Sequence, residues 1–432
     1  MRVSIFGLGY VGAVTSACLW EKGHTVIGVD VQDTKVEMMN RGEPLIVEPG
    51  LDILMKDGIK SGRMSATTDL DMAVQNSEIS LVCVGTPSQV NGALNINYVK
   101  AVTESIAKSI SKKNGKHILV LRSTMLPGST HQLFEEYLDE LVSQKKLEVY
   151  FYPEFLREGT AIADFKNPSL VVIGSQSGKS ISDTVGELII GDPIVTDWET
   201  SELIKYGCNT FHALKIGFAN EMGRLSRKLG IDGREVMKLI CSDTVLNISS
   251  YYMRPGNPFG GSCLPKDVRA LVYNSRRIGE SLPITENILD SNEVHFQSLV
   301  QMVEEVNCKN VSIIGVSFKA NTDDLRESSM VKLTQLLVQN GYHLKVYDPN
   351  LDPVKLLGAN KKAADDWVPN LSQILCQDIN ETVGKSGVVI VSQKCIPIEK
   401  LSATLTPEHT IIDVNSWDAL RQTKAQYIGL CW

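Results

Sequence analysis

The stretch GLGYVG, residues 7–12, follows residues 2–6, an apolar run typical of a buried strand. It leads into residues 10–22, whose apolar side chains have the spacing of a helix. Glycines in this order let the turn tighten, let a pyrophosphate approach the backbone and let the helix pack on the strand. The start of such a helix offers unpaired N–H groups and the positive end of its dipole to phosphates. Gly7, Gly9 and Gly12 therefore predict a dinucleotide-binding turn.

Asp30 supports this interpretation, because it ends the next apolar run eighteen residues after Gly12. A carboxylate at this position accepts hydrogen bonds from the hydroxyls of the adenosine ribose and repels a 2′-phosphate. A glycine turn required only for packing would explain the three glycines but not the acid. The sequence thus predicts NAD, rather than NADP, as the cofactor.

Strand-like and helix-like segments alternate through residues 1–197, which predicts a mostly parallel sheet with helices on both faces. We assign this region to a Rossmann-like, NAD-binding domain. The predicted strands are residues 2–6, 25–30, 79–84, 117–121, 148–151 and 170–174, and the predicted helices include residues 10–22, 97–111 and 130–144.

Residues 198–306 lack strand-like runs and predict a central helical domain. Residues 199–229 form the longest predicted helix, with helices at 232–242 and 284–306 and an irregular stretch at 254–265. The long helix is apolar on more of its surface than one core-facing side needs, which predicts a dimer interface.

Alternation returns in residues 307–432, with predicted strands at 311–315, 344–347, 388–391 and 410–414 and a helix at 329–340. This region is the second α/β domain. The predicted fold class is α/β, with two Rossmann-like parallel-sheet domains joined by a helical connector.

Composition excludes several classes of protein. The net charge of −7, from 43 basic and 50 acidic residues, provides no positive field for nucleic acid. No apolar run is long enough to span a membrane. Nine scattered cysteines without a CxxC pair predict reduced thiols in the cytoplasm and no metal site.

Two further segments, CVGTP (83–87) and RSTMLPG (122–128), each follow a predicted buried strand. Ligands of open α/β sheets lie beyond the carboxyl ends of the strands. Thr86 and Thr124 are therefore candidates for contact with cofactor or substrate, and ordinary turn chemistry explains each threonine equally well.

The segment GGSCLPKD, residues 260–267, places Cys263 among glycines with Lys266 and Asp267 close behind. Glycines allow a substrate to reach the backbone, and a nearby ammonium group or helix start lowers the pKa of a thiol. Most of the other cysteines are expected to be small buried hydrophobes. Cys263 is therefore the candidate nucleophile.

A dinucleotide site combined with a nucleophilic cysteine suggests an oxidation in two stages. Hydride transfer converts an alcohol to an aldehyde, and a thiolate adds to the aldehyde as a thiohemiacetal. A second hydride transfer gives a thioester, which water hydrolyses to a carboxylate.

These residues resemble those of the nucleotide-sugar 6-dehydrogenases, the UDP-glucose and GDP-mannose dehydrogenase family, along essentially the whole chain. Leu264, Trp432 and the stretch YYMRPG (251–256) are most similar to the branch that acts on GDP-mannose. The motifs that carry the resemblance are GLGYVG (7–12), VEPGL (47–51), CVGTP (83–87), RSTMLPG (122–128), YPEFLREG (152–159), the helix at 199–223, GGSCLPKD (260–267) and SFKANTDDLRES (317–328).

The resemblance implies roles for individual residues. The implied catalytic residues are Cys263 as nucleophile, Lys205 and Asn209 as stabilisers of the oxyanion, Asp267 as activator of water, and Glu158 and Thr124 as aids to proton transfer. The implied NAD-binding residues are Gly7, Gly9, Tyr10, Val11, Gly12, Asp30, Lys35, Thr86, Thr124, Lys266 and Arg326. The implied substrate-binding residues are Glu158, Lys205, Asn209, His212, Tyr251, Tyr252, Arg254, Gly260 and Lys319, with Asn220 reaching the site of a partner subunit.

The implied activity is oxidation of GDP-mannose to GDP-mannuronate by a homodimer, and the resemblance leaves open whether dimers pair into tetramers. Asn257-Pro258 departs from the Phe-Ala typical of the GDP-mannose branch, which removes an apolar contact if that Phe packs on the ligand. Two alternatives stay open: the same chemistry on UDP-glucose or another UDP-sugar, and a silent protein that binds nucleotide sugars.

Overall fold

The computed structural model describes residues 1–89, 93–249, 255–261, 264–318, 324–352, 364, 371–385 and 387–432. The chain divides into two compact units, Met1–Ala213 and Leu214–Trp432. The two units are described in turn.

The first unit contains a sheet of eight strands in the order β3-β2-β1-β4-β5-β6-β7-β8. All neighbouring strands run parallel except β6 and β7. The strands are β1 (Arg2–Phe6), β2 (Thr25–Val29), β3 (Met64–Thr67), β4 (Ile79–Val82), β5 (His117–Leu121), β6 (Leu147–Phe151), β7 (Val172–Ser175) and β8 (Ile194–Thr196).

Helices cover both faces of this sheet. They are α1 (Tyr10–Glu21), α2 (Asp33–Asn40), α3 (Leu51–Lys60), α4 (Leu70–Gln75), α5 (Asn97–Ser111), α6 (Ser129–Leu133), α7 (Asp139–Ser143), α8 (Ala161–Lys166), α9 (Asp183–Gly186) and the first part of α10 (Trp198–Lys228). A π-helical turn, Phe134–Leu138, connects α6 to α7.

The central strands are apolar throughout because both of their faces are buried, as is typical of parallel sheets. In β5, Ile118 and Val120 pack in one hydrophobic cluster with α1 and α8. Leu119 and Leu121 pack in a second cluster with α5 on the opposite face. In the register of the sheet, Ile5 of β1 lies between Gly28 of β2 and Leu81 of β4. Because the strand order reverses at β1, a crevice opens beyond its carboxyl end.

The second unit begins with helices and ends with a parallel sheet of five strands in the order β10-β9-β11-β12-β13. Its helices are the rest of α10, α11 (Gly233–Ser242), α12 (Leu264–Arg277), α13 (Pro283–Glu286), α14 (Ile288–Glu305), α15 (Ser329–Gln339) and three short ones, Leu371–Ile374, Ile379–Val383 and Ile398–Thr404. Its strands are β9 (Asn310–Ile314), β10 (His343–Tyr347), β11 (Gly387–Val391), β12 (His409–Asp413) and β13 (Gln426–Gly429).

The predicted fold class, with two parallel-sheet α/β domains and helices between them in sequence, is confirmed. The structure adds features that the patterns did not predict. Strands β3, β8 and β13 and helix α12 were not predicted, the helix predicted at 130–144 contains the π-helical turn, and the one predicted at 284–306 is interrupted at Asn287. The domain boundaries 1–197, 198–306 and 307–432 stay predictions.

A buried polar cluster lies at the amino end of the first sheet, opposite the crevice. The ring of His117 is 1% exposed, and its two nitrogens lie 2.8 Å from Ser80 Oγ and 3.0 Å from Lys113 Nζ. Burial, with a contribution from Lys113, lowers the pKa of His117 to about 3. The folded protein therefore holds a neutral imidazole that the unfolded chain protonates near pH 6.5.

This pKa difference predicts an acid-dependent loss of stability. Between pH 6.5 and pH 3 the unfolded chain binds a proton at His117 that the folded chain does not, so the free energy of unfolding decreases as the pH falls. Relative to His117→Gln, the wild type should lose about 3 kcal/mol of unfolding free energy between pH 7.5 and pH 4.5. Urea unfolding of both proteins at the two pH values measures these free energies of unfolding. The same difference between wild type and variant at both pH values would contradict the prediction.

Candidate functional site

The glycine turn after β1 has the geometry that a dinucleotide requires. Gly7 has a φ of +96°, and a Cβ there would lie 2.9 Å from the backbone of Cys83 and Val84. A Cβ on Gly12 would lie 1.8 Å from the carbonyl oxygen of Gly7. A Cβ on Gly9 would meet no atom within 4 Å. Gly7 and Gly12 are thus fixed by packing, whereas the space beside Gly9 is open to a ligand.

The start of α1 is suited to bind phosphate. Gly9 is its N-cap residue and provides no side-chain cap, and the first turn contains no acidic residue. The first N–H groups of a helix have no partner within the helix, and they carry the positive end of its dipole. Tyr10 and Val11 lie in this turn and are half-buried.

Asp30 lies directly after β2, where its carboxylate holds the glycine turn. The carboxylate oxygens accept hydrogen bonds from Leu8 N at 2.8 Å and Gln32 N at 3.0 Å, and Lys35 Nζ lies 3.2 Å away. A carboxylate has about four acceptor positions, so one is left for a ribose hydroxyl. The glycine turn, the uncapped helix and this acid together fit a bound NAD.

The loops after β4 and β5 meet at the same edge of the sheet. Thr86 Oγ1 donates a hydrogen bond to the carbonyl oxygen of Thr124 at 2.9 Å, and Ser123 Oγ donates one to that of Val84 at 2.7 Å. The structure therefore brings Thr86 and Thr124 together, both half-buried, next to the glycine turn.

Lys205 of α10 is buried in an ion pair. Its Nζ lies 2.8 Å from Glu154 Oε1, and the side chains are 7% and 13% exposed. Glu154 belongs to the loop after β6, where its other oxygen accepts a hydrogen bond from Leu156 N. Of the two acids in YPEFLREG, Glu158 was predicted from the sequence and Glu154 was not. The requirement that a buried lysine have an acidic partner could have identified it.

Three other predicted residues of the first unit are exposed: Glu158, Asn209 and His212. The charge of Glu158 contributes to the raised pKa of Tyr10, so the two groups lie near each other. His212 lines a cavity of about 360 Å³ together with residues of the loop after β6, among them Phe155 and Arg157. Lys205 and Asn209 lie four residues apart on α10, which places them on the same side of the helix.

In the second unit, Gly260 and Gly261, which precede Cys263 in the sequence, are closely packed against neighbouring atoms. A Cβ on Gly260 would lie 2.1 Å from the carbonyl oxygen of Glu327, and one on Gly261 would lie 2.6 Å from the ring of Phe318. Packing within the protein is therefore sufficient to explain both glycines, without a contact to substrate. Asn257, the departure from the family pattern, accepts a hydrogen bond from Ser329 Oγ at 3.0 Å.

The predicted charged residues of this unit are paired with near neighbours. Lys266 Nζ lies 3.1 Å from Asp267 Oδ1 in the first turn of α12, with both side chains exposed. Arg326 pairs with Asp324 at 2.7 Å, and Asn220 is exposed on α10. The predictions for Tyr251, Tyr252, Arg254, Cys263 and Lys319 lie outside the described residues.

Among the described residues, no group of three or more His, Cys, Asp or Glu side chains is arranged to hold a metal ion. None of the described helices is both long enough and apolar enough to span a bilayer.

Three models of one family match the chain in order. They are the NAD binding domain, the central domain and the UDP binding domain of the UDP-glucose/GDP-mannose dehydrogenase family, at residues 1–189, 199–294 and 312–419.

Individual proteins of the family match over their full length. The GDP-mannose 6-dehydrogenases of Pseudomonas putida and Pseudomonas aeruginosa are each 42% identical to this chain, with 100% of both chains covered. The crystal structure of a ternary complex of GDP-mannose dehydrogenase from Pseudomonas aeruginosa superposes with a TM-score of 0.91 at 40% identity, again covering 100% of each chain. The chain therefore belongs to the UDP-glucose/GDP-mannose dehydrogenase family, and its cofactor is NAD.

Proposed function

We propose that this chain oxidises the C6 hydroxyl of GDP-mannose to the carboxylate of GDP-mannuronate. One observation carries the proposal: the chain is similar to GDP-mannose 6-dehydrogenases over their whole length. The geometry of the first unit supports it, because a dinucleotide turn and the buried Lys205–Glu154 pair both lie beyond the carboxyl ends of strands of one sheet.

NAD, when bound, accepts the hydride that leaves carbon C6 in each oxidation. The start of α1 binds its pyrophosphate, and Asp30 binds its adenosine ribose. The residues proposed to hold it are Gly7, Gly9, Tyr10, Val11, Gly12, Asp30, Lys35, Thr86 and Thr124 of the first unit and Lys266 and Arg326 of the second.

Cys263 is the proposed nucleophile. Its thiolate forms a carbon–sulfur bond with the C6 aldehyde while the carbonyl electron pair moves to oxygen, giving a thiohemiacetal. Loss of the second hydride from C6 leaves a thioester, and attack by water then breaks the carbon–sulfur bond and releases carboxylate and thiolate. Helix α12 begins at the next residue, Leu264, and a helix start favours a nearby thiolate.

The other catalytic residues act on charge and protons. Lys205 and Asn209 stabilise negative charge on the C6 oxygen, which develops only as the reaction proceeds. Asp267 activates the hydrolytic water, and Glu158 and Thr124 assist proton transfer. Because Glu154 neutralises Lys205 at 2.8 Å, the ammonium group is held in place before substrate arrives.

The residues proposed to hold the nucleotide sugar are those that the resemblance to the family implies. Asn220 is the residue proposed to reach the partner's site. The remaining proposed contacts are Glu158, Lys205, Asn209, His212, Tyr251, Tyr252, Arg254, Gly260 and Lys319.

A homodimer through the central helices is supported by exposed apolar side chains. On α10, Leu203 is 58% exposed and Leu214 is 47% exposed, and on α11 Leu239 is 62% exposed. Apolar side chains grouped on helices in this way mark an interaction surface. Met222, by contrast, is buried in a cluster with Leu225 and Leu282 and is unsuitable as an interface probe.

We place the enzyme in the cytoplasm. The eight cysteines among the described residues are all free thiols, which suits a reducing compartment. The net charge of −7 makes nucleic acid an improbable partner.

The substrate assignment predicts a preference that kinetics can measure. GDP-mannose should give a higher kcat/KM than UDP-glucose, UDP-N-acetylglucosamine or GDP-glucose, with two NADH formed per carboxylate. Absorbance of NADH and titration of the acid check both statements. A preference for a uridine substrate would reassign the branch, and no turnover of any nucleotide sugar would favour a binding protein.

Within the same assay, Cys263→Ser should abolish formation of the acid, because a serine hydroxyl has a much higher pKa and is a poor nucleophile without a dedicated base. Slow oxidation to the aldehyde is the most that should persist. Near-normal turnover of the serine variant would show that no thioester forms at this residue.

Lys205→Met should lower kcat by about 10²–10³ while changing KM much less, because the ammonium group is needed most when negative charge develops. The matched control is Lys100→Met, which breaks a Lys–Glu pair of similar length with Glu136 near the surface. That variant should keep its kcat. A higher KM with unchanged kcat in Lys205→Met would identify Lys205 as a binding residue only.

Leu214→Asp should weaken the dimer and reduce activity together, because it places a charge on the proposed interface and the partner's Asn220 would leave the site. Ser298→Asp, on an exposed position of α14, is the control. Sedimentation and activity should change in parallel. A fully active monomer would argue against the interface.

A further inference from the structure

Glu48, from the VEPGL motif, is a buried carboxylate that the proposed mechanism does not use. Glu48 is 6% exposed. One oxygen accepts hydrogen bonds from Tyr10 Oη and from Gly159 N, the latter at 2.8 Å. The other accepts a hydrogen bond from Ala161 N at 2.8 Å. Two segments distant in sequence therefore meet on one carboxylate.

The contact is charge-assisted at neutral pH. Burial by itself raises the pKa of Glu48, but the hydrogen bonds from Tyr10 and from backbone N–H groups outweigh it and lower the pKa. Burial and the contact with Glu48 raise the pKa of Tyr10 to about 12. The carboxylate is thus ionised and the phenol protonated, and such hydrogen bonds are stronger than neutral ones.

The two segments are the cofactor turn and the loop after β6. Tyr10 follows Gly9 directly at the start of α1. Residues 152–160, between β6 and α8, form no regular secondary structure, and they carry Glu154 and Glu158. Apart from Glu48, this loop is held by the Lys205–Glu154 pair and by the pairing of Arg157 with Asp164 at 2.6 Å.

Glu48 also replaces a helix cap. Thr160, the N-cap residue of α8, makes no side-chain hydrogen bond to the helix start. The carboxylate of Glu48 instead accepts from Ala161 N in the first turn of α8 and from Gly159 N just before the helix, so α8 and the end of the loop are oriented by a residue more than a hundred positions earlier.

We propose that Glu48 is a positioning residue for the reaction: it fixes loop 152–160 against the cofactor turn, so that Glu154, Lys205 and Glu158 stand at a set distance from bound NAD. The inference rests on the proposed function. Hydride transfer depends steeply on the relative placement of donor and acceptor, and Glu48 joins the segments that place each of them.

Glu48→Gln is the sharpest test, because it keeps the size of the side chain and removes one acceptor. Glutamine has one acceptor oxygen and one donor group, so in either orientation of the amide one of Gly159 N and Ala161 N loses its hydrogen bond to residue 48. Ala161 N would then have no acceptor from this side chain, and Gly159 N would keep only its longer contact with Tyr10 Oη at 3.2 Å. A buried N–H group without a partner is unfavourable, and the loop should move to satisfy it. We expect kcat to fall about 10- to 100-fold, with smaller changes in KM for NAD and GDP-mannose.

Asp378→Ala is the control for loss of a carboxylate that holds backbone N–H groups elsewhere in the fold. Asp378 caps the short helix Ile379–Val383 in the second unit, and its Oδ1 accepts hydrogen bonds from Asn380 N at 2.7 Å and Glu381 N at 2.9 Å. Alanine removes this acceptor, so the variant should lose stability and keep its kcat. Full kcat in folded Glu48→Gln, or an equal loss of kcat in Asp378→Ala, would overturn the positioning role.

Tyr10→Phe tests whether the two residues act as a unit. The double variant with Glu48→Gln should lose less kcat than the two single variants combined, since Tyr10 Oη and the Glu48 carboxylate bond to each other and share the N–H group of Gly159. Additive losses would overturn that arrangement.

Amide hydrogen exchange separates this inference from the proposed function. Exchange at Gly159 and Ala161 should be faster in Glu48→Gln than in the wild type, whether or not the protein oxidises a nucleotide sugar. Unchanged exchange would overturn the role of Glu48, whereas an inactive wild type would overturn only the proposed function.

Discussion

Buried carboxylates that accept hydrogen bonds from backbone N–H groups hold the loops on which the candidate site is built. Apolar packing orders the strands, but the turns at their ends have N–H groups that would otherwise be unpaired and buried. Asp30 accepts one from Leu8, and Glu48 accepts one from Gly159 at the end of loop 152–160 and one from Ala161 at the start of α8. Glu202 of α10, fully buried, accepts two from the start of α6. Among the described residues, no carboxylate accepts a hydrogen bond from a backbone N–H group at the start of α1. This is the helix start that is proposed to bind phosphate.

The two sheets use this device to different extents. In each sheet a glycine after the first strand donates a hydrogen bond at 2.8 Å to the last residue of the neighbouring strand, Gly7 to Val29 and Gly315 to Tyr347. In the first sheet Asp30 keeps an acceptor position for a ligand. In the second, Asp348 accepts four hydrogen bonds from its own loops, including two from Ser317. Three of the four end on Oδ2 and one on Oδ1, so Asp348 is more fully occupied by its own loops than Asp30 is.

Sequence patterns predicted ten of the thirteen described strands, α10 and the glycine turn, because burial and turn geometry produce recognisable patterns in the residues nearby. They did not predict Glu154 or Glu48, because the partners of a buried carboxylate lie far along the chain: Glu48 is 38 residues from Tyr10 and 111 from Gly159. Helix α12 was missed because Pro265 and the preceding glycines look like a loop, although proline is well tolerated in the first turn of a helix. The short edge strand β13 has too few residues to show a period.

Two buried cations lie at this edge of the first sheet. Lys205 and Glu154 neutralise each other, since a buried lysine without an acid would be strongly unfavourable. Arg122 is the second cation, with its guanidinium 4.2 Å from the ring centroid of Tyr152 and its Nε without a hydrogen-bond partner among the described residues. Aromatic faces offset part of the cost of burying that charge but do not cancel it. Acids on and around loop 152–160 balance these cations, so the loop has no excess of positive charge: they are Glu48, Glu154, Glu158 and Asp164. What favours the oxyanion that forms as C6 is oxidised is therefore the placement of the Lys205 ammonium group, and not a net positive field.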